Sequence, residues 1–203
     1  CTEKDFLKIK YKLLMKCLFL GYSSKETSII RFLKEKSISV KNIKKELKFK
    51  EAKKADIIIS FGYRKIIKQN IIKAVRRPII NLHMSYLPYN RGAHPSFWSI
   101  IKDTPIGITI HEIDKGVDTG RIIFRKKFNI NFKRKKFLTF KKIYDFLFKE
   151  LEKLFKKKSN SIISNNYSAL KQTKKIKMHR KRDLPTIMKS WNQNVIITKK
   201  IIC

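Results

Sequence analysis

Between Asn81 and Gly120 the chain gathers side chains able to move a small acyl group onto an amine. The stretch opens Asn81-Leu82-His83-Met84-Ser85-Tyr86-Leu87-Pro88, continues Arg91-Gly92-Ala93-His94-Pro95 and closes Asp114-Lys115-Gly116-Val117-Asp118-Thr119-Gly120. When an amine attacks a formyl carbon, the carbonyl oxygen becomes an oxyanion and needs a donor aimed at it. An Asn amide or a protonated imidazole supplies one. The amine must also lose a proton and the leaving nitrogen must gain one, which suits a His beside a carboxylate. Asn81 and His83 lie two apart, so an extended segment points them to the same side. Asp118 comes from a separate loop and can approach His83 across the site. Gly116 and Gly120 on either side of it suit a tight loop close to a ligand. A lone Asn-x-His reads as a buried polar cluster at a strand end; the Pro and Gly pattern and the second acidic motif favour catalysis.

The elements that must position these groups are readable as apolar runs. Lys16 to Gly21 and Asp56 to Gly62 are buried-strand signals, and Pro78 to Leu82 reads as a third strand with Pro at its first position. Ile38 to Ile43 suggests a short edge strand. Gly107 to Ile113 alternates cleanly, and Arg121 to Phe128 reads as a further strand. Helices are expected after a Ser23 or Ser24 cap, with Ile29, Ile30 and Leu33 as apolar face, over Gln69 to Val75, and over Ser96 to Ile101. A long amphipathic helix is expected over about Phe140 to Lys157. Strands alternating with helices predict an α/β fold: a mostly parallel, doubly wound, twisted sheet with helices on both faces. Ligands collect beyond the carboxyl ends of such strands, so Gly21, Gly62 and Asn81 should cluster in space. No Gly-x-Gly-x-x-Gly follows the first strand, so a nicotinamide dinucleotide is not expected.

The 203 residues, 42% hydrophobic, suffice for one well-buried domain. Met15 opens the first strand segment, so residues 1–14 read as an extension without a fold role. Residues 15–158 read as the catalytic domain and 159–203 as a basic tail packing on it or extending it. The opening segment is broken by charges and does not read as a secretory signal, and no apolar run approaches the ~20 residues that span a bilayer. Cys1, Cys17 and Cys203 have neither metal-ligand nor disulfide spacing, so no metal centre is expected and a cytoplasmic location fits. Cys17 should be a small buried hydrophobe. The net charge of +35 suits a polyanionic partner such as tRNA, a membrane surface or a nucleotide-linked substrate. Because the lysines are spread along the whole chain, compositional drift on a solvated surface is favoured, with nucleic-acid binding a minority option.

The Asn81–Pro88 segment, Arg91-Gly92 with Pro95, and Asp114–Gly120 together resemble the signature of the folate-dependent formyltransferases. The resemblance covers about Met15 to Phe128. It implies a Rossmann-like sheet, 10-formyltetrahydrofolate as formyl donor and no metal. It also implies a catalytic trio in which Asn81 stabilises the oxyanion, His83 acts as acid/base or electrostatic partner, and Asp118 orients the imidazole or shuttles the proton. Gly62, Tyr63, Arg64 and Ile66 resemble the segment lining the folate pocket. The pterin would lie between them and the loop Ile113, Asp114, Lys115, Gly116, Val117. Ser85, Arg91, Gly92 and His94 would face the acceptor. Arg91 can grip a phosphate or carboxylate, or serve as a structural ion pair; His94 can touch substrate or be structural. His111 should be exposed or structurally hydrogen-bonded, and His179 should be at the surface.

Within that family the wording of Tyr86 to Pro95 and Ile110 to Gly120 looks closest to the amino-sugar enzymes, so a nucleotide-linked amino sugar is the leading acceptor. Methionyl-tRNA formyltransferases carry a further C-terminal domain, for which residues 159–203 are too few. Glycinamide ribonucleotide is a further alternative, and a homodimer is possible. A non-catalytic basic binding module on the same scaffold is the reading from a different class.

Overall fold

In a computed structural model the described residues are 15–132, 138–173, 176 and 178–202. The expectation for residues 1–14 lies outside them. A six-stranded sheet is built from β1 (Lys16–Gly21), β2 (Ser39–Ile43), β3 (Ile57–Phe61), β4 (Ile80–His83), β5 (Ile106–Glu112) and β6 (Ile122–Phe128). Its order is β2-β1-β3-β4-β5-β6. The first four strands run parallel, and β5 and β6 are antiparallel to their neighbours.

Helices cover both faces. Residues of α1 (Ile29–Glu35), α4 (Pro95–Ile101), α5 (Phe140–Ile163) and α6 (Val195–Ile202) join one apolar cluster. Residues of α2 (Phe49–Lys53) and α3 (Gln69–Ala74) join the other. Two-sided cover explains why β3 and β5 are buried at every position, and why β3 reads as a near-continuous apolar run. α5 supplies the longest seam: Phe140, Ile143, Leu147, Leu151 and Phe155 recur at helical spacing and are all buried. It begins at Thr139, whose Oγ1 accepts from the Lys142 N–H, and runs to Ile163, past Lys157. The cap of α1 also differs from expectation. Its N-terminal residue is Ser28, and the Glu152 carboxylate of α5 accepts from the Ser28 N–H and the Thr27 hydroxyl.

Strand alternation divides the sheet into an apolar and a polar side where the chemistry lies. Ile80 and Leu82 of β4 and Ile106, Ile108 and Ile110 of β5 enter the cluster beneath α5. Asn81, His83, Thr109 and His111 therefore share the opposite face. Register brings them together, because Asn81 pairs with His111 and His83 with Thr109. Asn81 stands inside β4 beside Ser60, one step short of the Gly21–Phe61 level at the strand ends.

Gly120 closes the loop that follows β5. A Cβ there would stand 1.8 Å from the Glu112 carbonyl oxygen. Gly120→Ala is expected to lose about 2 kcal/mol and to lower the melting temperature by about 4–8 °C, read by calorimetry.

Candidate active site

Two segments meet over the polar side of β4 and β5. His83 Nε2 stands 3.7 Å from Asp118 Oδ2, and both side chains are nearly enclosed. Asn81 Nδ2 lies 3.3 Å from Asp118 Oδ1 and 3.0 Å from His111 Nε2. The expected trio is thus gathered at one point.

Asp118 is held in place by its surroundings. Its φ of 52° is left-handed, a region that costs an ordinary L residue about 1–2 kcal/mol. The Gly92 N–H donates to Asp118 Oδ2 at 2.8 Å. Burial opposes its ionisation, but the His83 and His111 rings and the Gly92 amide hold its carboxyl well below the usual range. Gly92 itself has φ 87°, and a Cβ on it would stand 2.2 Å from the His179 carbonyl oxygen. Glycine is required here on both counts.

The imidazole of His83 has one ring nitrogen tied and one open. The backbone of Asn90 hydrogen-bonds the ring, while Nε2 is buried with no hydrogen-bond partner. Asn90 is itself in the left-handed region, at φ 52°. Its amide donates to Ser99 Oγ and Thr104 Oγ1, which fixes the carbonyl that faces the ring. Burial lowers the His83 pKa, His111 lowers it further, and the Asp118 charge and the Asn90 contact oppose both. The open nitrogen therefore carries a lone pair at neutral pH and faces the space beside Asp118.

His111 was expected to be exposed or structurally bonded; it is buried, and it completes the network. Its Nδ1 donates to the Glu112 carbonyl oxygen at 2.7 Å, and its Nε2 stands 3.5 Å from Asp118 Oδ1. The Asn81 amide nitrogen donates to the Asp118 carboxylate, which can only accept, and this settles which way that amide points. The only hint in the sequence was the period-two alternation that puts His111 on the polar side of its strand.

The remaining expected residues divide. Ser85 is fully buried, its hydroxyl donates to the Tyr89 carbonyl, and its own carbonyl accepts from Thr109. Both bonds hold the turn that follows β4. Arg91 is almost buried, and its Nη2 donates to Gln172 Oε1 at 2.8 Å. His94 starts α4 in the left-handed region, with its ring centroid 5.1 Å from that of Trp191. Burial, Lys181 and Arg64 all lower its pKa. His179 is a correction. It is buried and stacks on Trp98 at 4.2 Å, because residues 178–180 pair with the Arg91–Ala93 loop. Cys17 is buried and its thiol is pushed up to about 12, which leaves it unreactive.

The two segments assigned to the folate pocket converge, since Tyr63, Ile67 and Ile113 pack on the same apolar cluster. Gly62 has φ 69°, and a Cβ there would stand within 3 Å of the Tyr22 ring. The Tyr63 hydroxyl is committed to Lys45 and Leu47, so it anchors the segment. Asp114 accepts from the Gly116 N–H and the Thr119 hydroxyl, stapling its own loop. Ile66 and Val117 stand exposed on the two segments.

The sequence profile described as formyl transferase matches residues 16–145. The chain belongs to the formyl transferase family. Among solved structures of the family, the fold is similar to the formyltransferase PseJ from Anoxybacillus kamchatkensis, in complex with UDP-4,6-dideoxy-4-formamido-L-AltNAc and tetrahydrofolate. The two are 34% identical with a TM-score of 0.80, over 89% of this chain and 96% of that one. A 73-residue stretch is 42% identical to the methionyl-tRNA formyltransferase of Solibacter usitatus, covering 36% of this chain and 24% of that protein. A 72-residue stretch is 39% identical to the dTDP-4-amino-4,6-dideoxyglucose formyltransferase of Mycobacterium bovis, covering 36% and 30%. The matched stretches thus span about a quarter to a third of the length of these two relatives.

Proposed function

We propose that this chain transfers the formyl group of 10-formyltetrahydrofolate to the primary amine of a nucleotide-linked amino sugar. The observation that carries the reading is the meeting of Asn81, His83 and Asp118 around one open imidazole nitrogen. Support for the acceptor comes from the near-full-length likeness to an enzyme holding a UDP-linked formamido sugar and tetrahydrofolate.

The chemistry follows from the geometry. As the amine nitrogen adds to the formyl carbon, its proton passes to His83 Nε2. The imidazolium so formed is stabilised by the Asp118 carboxylate 3.7 Å away. The developing oxyanion takes an amide hydrogen of Asn81. That hydrogen is the one spent on the long 3.3 Å contact to Asp118, while the bond to His111 keeps the amide oriented. The old carbon–nitrogen bond then breaks, and His83 returns its proton to the departing nitrogen. In this reading the segment from Gly62 to Ile66 and the Ile113–Val117 loop hold the donor, and Arg91, Gly92 and His94 stand on the acceptor side.

The 73-residue match, 42% identical, to a methionyl-tRNA formyltransferase supports a second acceptor, methionyl-tRNA. The experiment is release of tetrahydrofolate from 10-formyltetrahydrofolate, followed with UDP- and dTDP-linked amino sugars, methionyl-tRNA and glycinamide ribonucleotide in parallel. Turnover with a nucleotide sugar is the expected result. Turnover only with one of the other two acceptors overturns the substrate, and donor binding without any turnover overturns catalysis.

A further inference from the structure

Gln172 lies beyond the residues that the family profile covers, yet it touches the site at three points. Its amide nitrogen donates to the carbonyl of Asp118 at 3.1 Å and to that of Gly120 at 2.6 Å. Its amide oxygen accepts from Arg91 Nη2 at 2.8 Å. One carboxamide thus spends both hydrogens on the loop that bears the carboxylate and its oxygen on the guanidinium of the facing loop.

The segment that delivers it is pinned on both sides. Leu170 exchanges two main-chain hydrogen bonds with Ile122, just past Gly120. His179 donates to the Arg91 carbonyl and accepts from the Ala93 N–H. Gln172 therefore lies in sequence between two residues, Leu170 and His179, that are tied to the same two loops that it joins.

From this geometry we infer that Gln172 is a positioning residue for formyl transfer, setting Asp118 against His83 and aiming Arg91 at the acceptor side. The inference rests on the formyl-transfer reading of the site. Asp118 occupies a left-handed conformation that needs external support. Its side chain is held by Gly92 on one loop, and its carbonyl by Gln172. Without the second hold, the carboxylate moves relative to an imidazole that it faces at only 3.7 Å.

Two substitutions separate positioning from packing. Gln172→Met keeps the length of the side chain and removes all three hydrogen bonds. Gln172→Glu keeps an acceptor for Arg91 but faces the Asp118 and Gly120 carbonyls with oxygen. For Gln172→Met, kcat is expected to fall about 10–100-fold. The acceptor KM should rise in Gln172→Met and return towards wild type in Gln172→Glu, while kcat stays low in both.

An activity-independent readout is the titration of His83 by NMR in protein labelled at histidine, assigned with His83→Gln. Asp118 and His111 are the ionisable groups that act on His83. Asp118 raises its pKa, so drift of the carboxylate in Gln172→Met should lower that pKa by about one unit. An unmoved titration overturns the inference, even if kcat falls with the melting temperature, since that combination marks a packing residue. Wild-type kcat in both variants also overturns it. Should the wild-type protein turn over no amine at all, the reaction reading fails, and the His83 titration still decides whether Gln172 places Asp118.

Discussion

His83→Gln is expected to lower kcat by about 10²–10⁴, with donor affinity and melting temperature close to wild type. The substitution removes a ring nitrogen that is both open and aimed at the site. Glutamine fills most of the space and can still reach the Asn90 backbone, so the loop need not collapse. It cannot take a proton from the amine at neutral pH. The pH profile gives a sharper check. The wild-type His83 pKa is lowered, so the neutral imidazole persists below the ordinary histidine range. Turnover should stay level on the alkaline side and fall only as pH drops below about 6.5, the free-histidine value. That acid limb should vanish in His83→Gln. Steady-state kinetics of both proteins from pH 5 to 9 make the comparison, and an unchanged kcat would remove His83 from the mechanism.

Asp118→Asn should produce a loss of similar size, about 10²–10³ in kcat, by a different route. The variant amide can still accept from the Gly92 N–H through its oxygen, so the loop keeps its main support. The charge is gone, and with it the stabilisation of the imidazolium. The sign of the pH effect is fixed by the wild-type coupling. The carboxylate raises the His83 pKa against burial, so its loss lets that pKa fall further. Because the active form of His83 is neutral, the acid limb of the residual activity should move to lower pH. A limb that moves upward, or a rate that does not fall, would show that the carboxylate has another task.

How far the sequence reaches can be judged from particular elements. β1 and β3 were legible because strands covered on both faces are apolar at nearly every position. α5 was legible because a helix covered on one side repeats its apolar residues every three or four positions, although its last turn was not. The meeting of Asn81, His83 and Asp118 was foreshadowed by local chemistry together with the family resemblance: two polar residues on one side of a strand, and a carboxylate between glycines.

His179 was misread, Gln172 was passed over, and His111 was left between exposed and hydrogen-bonded, for a common reason. Each acts through a partner far away in sequence. His111 matters because β5 runs antiparallel beside β4 with Asn81 opposite it. His179 is buried because its backbone pairs with the Arg91–Ala93 loop, and Gln172 matters because its amide donates to the Asp118 carbonyl. Ser85 is a motif residue whose hydroxyl bonds within its own turn, which only the structure shows. The sequence by itself determined the alternation of elements and the identity of the groups able to do the chemistry, since both rest on periodicity and on side-chain pKa. Only the tertiary structure decided which nitrogen of His83 is open, which way the Asn81 amide faces and what braces Asp118. Those are properties of hydrogen-bond geometry between distant segments, and strand order and loop packing create that geometry.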